Sequence, residues 1–174
     1  QAVTSKQLMD DKHISDLSIN CLVLKYNDAE RQLNKKATYQ EEIDFVVTHQ
    51  KRNEFVRDLA LARKGNVLIL FNYVEKHGKV LHKLLENKNK DDRNIFFIAG
   101  ETSVEDREKI RQVTEVENSI IVASSGVLST GVNIKNLQTL IFAHPYKGKI
   151  RNLQSIGRVL RLDDKDNKAI LFDI

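Results

Sequence analysis

"NVLILFNYVEKHGKVLHKLL", residues 66–85, carries the change of period on which the fold turns. Its opening six residues, Asn66–Phe71, are almost continuously apolar and rich in branched side chains. A strand covered on both faces reads this way, as in a parallel sheet. From Asn72 the spacing becomes helical, and Val80, Leu81, Leu84 and Leu85 fall on one face of a helix expected over 72–88.

The strand signature recurs on either side of this unit, as "INCLVLKY" (19–26), "NIFFIA" (94–99), "SIIVAS" (119–124), "TLIFAH" (139–144) and "AILFDI" (169–174). Helical patterns fill the intervals. Residues 41–65 place Ile43, Val46, Val47, Phe55, Leu59 and Ala62 at helical spacing, with Thr48 as the start of a second helix and Gly65 as a C-cap. Residues 102–115 open on Thr102 or Ser103 as N-cap. Residues 149–161 turn Ile150, Leu153, Ile156 and Leu160 inward. Strand and helix alternating through short connections predict an α/β domain with a mostly parallel central sheet flanked by helices. The polar stretch 27–42 has no clear period and reads as a loop or a helical excursion. The whole chain, 1–174, is expected to be one domain. Ending on a strand at Ile174 and opening on "QAVTSK", it is expected to be a piece of something longer.

Composition narrows the class. The hydrophobic fraction of 41% is enough for a core, and the 30% charged fraction excludes an integral membrane protein. No stretch approaches the ~20 apolar residues of a membrane span. No basic-then-apolar leader is present at the N-terminus. The lone Cys21 cannot form an internal disulfide, which fits a reducing cytoplasm, and a structural zinc site is not expected. A net charge of +4 mildly favours a polyanionic partner.

In open α/β sheets, ligands gather beyond the carboxyl ends of the strands. The residues there are Asn72–Tyr73, then Gly100–Glu101–Thr102, then "SSGVLSTG" (124–131), then His144–Pro145–Tyr146–Lys147. They are mostly small, hydroxylated, amide or basic, and such residues let a phosphate chain come close while offering N–H and O–H donors. The ordinary alternative for the serine-rich segment is a polar loop with a helix cap. Near the end, "QSIGRVLR" (154–161) sets Gln154, Arg158 and Arg161 along one helical stripe, an arrangement suited to phosphate. No GxxxxGK[ST] phosphate loop occurs. No strand is followed by a carboxylate pair placed to hold Mg²⁺, with Asp173 the one candidate. His77, His82 and His144 have no positional case as bases. Arginines without a triphosphate-holding apparatus suggest half of a bipartite site, in which they stabilise charge on a γ-phosphate bound elsewhere.

The residues resemble those of superfamily 2 DNA helicases. "QSIGRVLR" matches the QxxGRxxR signature of motif VI, "ASSGVLSTGVNIKNL" (123–137) resembles motif V, and "VLILFNYVEKHGKVLHKLL" (67–85) resembles motif IV. "AGETSVEDREKI" (99–110) resembles the motif between IV and V. The motifs stand in the family's order over 66–174, and the segments in 1–65 also resemble phage recombination and repair helicases of this superfamily.

The resemblance implies a RecA-like second motor domain of an ATP-dependent helicase. It implies Arg158 and Arg161 near the γ-phosphate, with Arg161 as arginine finger. Gln154, Gly131 and Asn133 would line the nucleotide cleft, and Asn72, Gly100, Thr102, Ser125 and Thr130 would meet the DNA backbone. Position 133 is Asn where the family often has Asp, and position 126 is Gly where many members have Asp. It implies ATP and Mg²⁺ as cofactors, held mainly by an N-terminal RecA-like domain of the same protein. It implies DNA as partner, whether branched duplex, single strand or RNA–DNA hybrid, with no membrane. The rival expectation is a non-catalytic nucleic-acid-binding or protein-interaction module that keeps the fold.

Overall fold

A computed structural model describes residues 17–100, 103–105, 108, 112, 118–126, 137–145 and 169–174. Its strands are β1 (Leu17–Cys21), β2 (Asn66–Phe71), β3 (Ile95–Ile98), β4 (Ile120–Ser124), β5 (Leu137–Phe142) and β6 (Ala169–Asp173). They form one sheet in the order β1-β6-β5-β2-β4-β3, and every neighbouring pair is parallel. The helices are α1 (Asp28–Asn34), α2 (Tyr39–Thr48), α3 (Gln50–Ala62) and α4 (Lys79–Lys88), the last entered through a π-helical turn, Val74–Gly78. Among the described residues no helix is long and apolar enough to cross a membrane.

The centre of the sheet explains the continuous apolar runs. All six residues of β2 are buried, because alternate side chains enter two separate cores. Val67, Ile69 and Phe71 pack with Val56 and Ala60 of α3 and Leu81 and Leu85 of α4. Leu68 and Leu70 pack on the opposite face with Ile98, Ile121, Leu140 and Leu171.

Each of the six expected strands is present, with one displacement. The first was expected over 19–26 and lies at Leu17–Cys21. β1 is an edge strand whose only strand partner among the described residues is β6, and the ladder ends where Cys21 meets Asp173 and the Leu22 N–H donates to the Asp173 carbonyl at 2.7 Å. Beyond the ladder Val23 stands 87% exposed.

The helical stretch 41–65 is interrupted, and the break moves its buried face. The break falls at His49, not Thr48: Thr48 is the last residue of α2, and the His49 ring nitrogen accepts from the Arg52 N–H as N-cap of α3. Restarting there re-phases the helix, so α3 buries Arg52, Asn53, Val56 and Ala60, while Phe55 and Ala62 are exposed. Likewise the π-turn shifts α4, burying Leu81 and Leu85 and leaving Val80 exposed. Gly65 is not the C-cap, which is Arg63. Its φ of +76° belongs to the turn into β2, where a Cβ would also lie 2.5 Å from the Gln138 Oε1.

The polar stretch 27–42 is largely helical. Asn27 and Thr38 each open a helix with a complete capping box, Glu30 and Glu41 returning a carboxylate to the cap N–H at 3.1 and 2.6 Å. α1 buries no residue. It is held by Glu30, which pairs with His49 at 3.0 Å beside edge-to-face contacts among Tyr26, Phe45 and His49.

At the amino edge of the sheet Arg93 ties loops together. Its Nη1 donates to the Arg63 carbonyl and its Nη2 to the Gly65 carbonyl, each at 2.7 Å, and its Nε donates to the Asn118 carbonyl at 3.2 Å. A planar, always-charged guanidinium can satisfy several carbonyls from one buried position. Of the expected 102–115 helix, Val104, Glu105, Glu108 and Gln112 are helical, and Thr102 lies outside the described residues. The expected helix over 149–161 also lies outside them.

Candidate nucleic-acid interface

Strand register determines which loop residues meet at the carboxyl edge. Phe71 pairs with Ser124, Ile98 with Ala123, and Leu70 with Phe142. Continuing these parallel registers past the strand ends brings Gly100, Ser125, Asn72 and His144 to one level across β3, β4, β2 and β5. The Ser125 hydroxyl accordingly donates to the Asn72 Oδ1. With that oxygen engaged, the rest of the amide is an N–H donor, the group a phosphate oxygen accepts. Asn72 is exposed, and among the described residues a Cβ at either Gly100 or Gly126 would meet nothing within 4 Å. This edge therefore offers donors and small residues beside open space.

Of the sequence-predicted residues, the fold brings Asn72, Ser125 and Gly100 into this row. Thr102, Thr130, Gly131, Asn133, Gln154, Arg158 and Arg161 lie outside the described residues.

Beneath the row lies a buried polar layer. Arg52, only 3% exposed, donates from Nη1 to the Ala143 carbonyl at 2.6 Å and from Nη2 to the Ile174 carbonyl at 2.7 Å. It joins the ends of β5 and β6 to the first turn of α3. Burial pushes the His77 imidazole down to about 3 and the His144 imidazole down to about 4, and the nearby Arg52 charge acts in the same direction on each. Both rings are neutral near neutrality. The His144 Nδ1–H donates to the Pro145 carbonyl at 2.8 Å, fixing the chain direction where it leaves β5. His82 is partly exposed, set edge-on to Phe97 and facing Glu86.

Sequence reading missed a second group, gathered around Tyr73, the residue after Asn72. The Lys76 ammonium lies 4.0 Å from the centre of the Tyr73 ring and pairs with the Asp44 carboxylate of α2. Gln40 donates to Asp44 at 3.0 Å and to the Tyr73 hydroxyl at 3.5 Å. Lys76 holds Asp44 below the usual carboxylate range, with Gln40 contributing. A basic residue one turn past a loop asparagine was the only sequence signal. Its partner stands 32 residues away in α2.

Comparison with known proteins adds an independent line. The model of the family "Helicase conserved C-terminal domain" matches residues 50–163. The ATP-dependent DNA helicase UvsW of Enterobacteria phage T4 is 39% identical over 176 residues, covering 99% of this chain and 34% of the relative. The chain thus spans about a third of the length of that relative. The crystal structure of T4 UvsW superposes with a TM-score of 0.79 at 36% identity, covering 92% of this chain and 32% of that one. Domain 2 of the DEAD-box helicase Mss116p, solved bound to an RNA duplex, matches with a TM-score of 0.52 at 18% identity over 91% of this chain and 54% of that one, a likeness of fold alone.

Proposed function

Since the chain belongs to the Helicase conserved C-terminal domain family and has its RecA-like, mostly parallel sheet, we propose that it serves as the second motor domain of an ATP-dependent superfamily 2 DNA helicase. The observation that carries this reading is the row of strand-end residues, with an exposed Asn72 hydrogen-bonded to Ser125, in a chain 39% identical to a phage DNA helicase.

On this reading Asn72, Gly100, Thr102, Ser125 and Thr130 grip the sugar–phosphate backbone without reading bases. Such contacts bind without sequence preference and weaken steeply with salt, as a translocating motor requires. Gly131, Asn133 and Gln154 face the nucleotide. Arg158 and Arg161 approach the γ-phosphate of ATP held by an N-terminal RecA-like domain, Arg161 as the arginine finger. Closure of the two domains on ATP and reopening after hydrolysis would move the backbone grip along the strand. By the same resemblance the intact protein would remodel branched DNA or R-loops in phage recombination, repair and replication.

The test is Arg161→Ala in the full-length protein. DNA-stimulated ATP hydrolysis should fall about 10³-fold or more, the range of an arginine finger. Equilibrium binding of a fluorescent ATP analogue should change little. Unchanged turnover would remove the assigned role.

A further inference from the structure

We infer that Lys76 is a further phosphate-contacting residue of the nucleic-acid interface, held over Tyr73, the residue after Asn72, and tied to Asp44 by an exchangeable ion pair. This rests on the backbone-gripping function proposed for that edge.

The placement of Lys76 follows from packing. Gly78 closes the π-turn by donating its N–H to the Tyr73 carbonyl at 2.9 Å. A Cβ on Gly78 would lie 2.5 Å from the Phe71 ring, so the turn sits directly on the last residue of β2. His77 fills the inward side and is fully buried. Lys76 is then directed along the surface, over the ring of Tyr73, the residue that follows Asn72. The turn also packs against β4, whose end supplies Ser125. π-turns of this kind recur where a side chain must be aimed at a ligand.

The pair with Asp44 is solvent-accessible, the two side chains being 37% and 47% exposed. An ion pair in water holds its partners weakly, because both charges are well solvated apart. A backbone phosphate entering beside Asn72 can therefore draw the ammonium away from Asp44. Tyr73 keeps the lysine stem on the correct side throughout, as an aromatic face attracts a cation. Asp44 thus lowers affinity in the free protein by competing for the same charge, whereas a purely structural ion pair would have no link to DNA.

The measurement is anisotropy of fluorescein-labelled oligo(dT) with the full-length protein, without ATP, across a NaCl titration. Lys76→Gln should weaken binding several-fold and make the slope of log K against log salt shallower by about 0.7, the value of one phosphate contact on a single strand. Lys76→Arg should retain the slope. Asp44→Asn should tighten binding a few-fold, and that gain should vanish in the Lys76→Gln background. Asn72→Ala separates the two levels of the reading. If it weakens binding while Lys76→Gln and Asp44→Asn leave affinity and slope unchanged, the role of Lys76 is wrong and the interface stands. If Asn72→Ala and Lys76→Gln both have no effect, the interface itself is misplaced.

Discussion

Among the described residues, His77 and His144 should make this domain respond to mild acid, between about pH 7 and about pH 5. Burial holds their folded-state values at about 3 and about 4, below the ordinary 6.5. The unfolded chain therefore takes up protons first as pH falls. Stability is fully present above pH 6.5 and is lost progressively below it, the loss levelling off only once pH is below the folded values. Between about pH 7 and about pH 5 the decline should reach at most about 2 kcal/mol for each ring. Neither ring nitrogen of His77 has a hydrogen-bond partner among the described residues. His77→Leu should therefore flatten the pH dependence of the urea midpoint by close to half. An unaltered pH profile in that variant would place the acid sensitivity elsewhere. Arg52, buried between β5, β6 and α3, is held by two carbonyls with the Asp173 charge nearby, and its own charge reinforces the neutrality of both rings.

Among the elements, the π-turn has the strictest steric demand. Gly78→Ala would set a methyl 2.5 Å from a ring that is itself fully buried and stacked on Phe97. Either Phe71 moves within the core or the turn lifts from β2. We expect a loss of about 1–3 kcal/mol in chemical denaturation, the usual range for overpacking. Oligo(dT) binding should weaken as well, because Asn72, Tyr73 and Lys76 move with the turn. A variant of wild-type stability would mean that the contact relaxes at no cost. By contrast α1 and α2 are marked at their starts: "NDAE" at 27–30 opens α1 and "TYQE" at 38–41 opens α2, each with a capping box in plain view. The stretch lacks an apolar period because α1 has no buried side, so reading by periodicity passed over it while reading by caps would have found it.

The sheet as a whole brings Gly100, Ser125, Asn72 and His144 to one edge, and the catalytic prediction concerns what the chain lacks. The chain contains no GxxxxGK[ST] loop for a triphosphate. A purified fragment of residues 1–174 should therefore show no ATP hydrolysis above background. Steady turnover by a preparation free of contaminating ATPase would overturn the split-site reading. Apart from the first strand, displaced to Leu17–Cys21, the expected strand locations are close, and Asn66–Phe71 matches to the residue, because burial on both faces leaves an uninterrupted apolar run. The inward faces of α3 and α4 were less accessible to that reasoning. A single capping histidine and a single π-turn each re-phase a helix, and neither alters composition.

The amino-acid order alone established six strands, their parallel α/β arrangement and the small polar residues following them, since each follows from local period and from chemistry within a few neighbouring positions. It did not establish that Gly100, Ser125, Asn72 and His144 share one level, that Lys76 meets Asp44, or that Arg52 holds carbonyls 91 and 122 residues distant. Those depend on strand order and register. Parallel pairing joins segments far apart in the chain, and the side chains that meet there carry no local mark of the partner they will find.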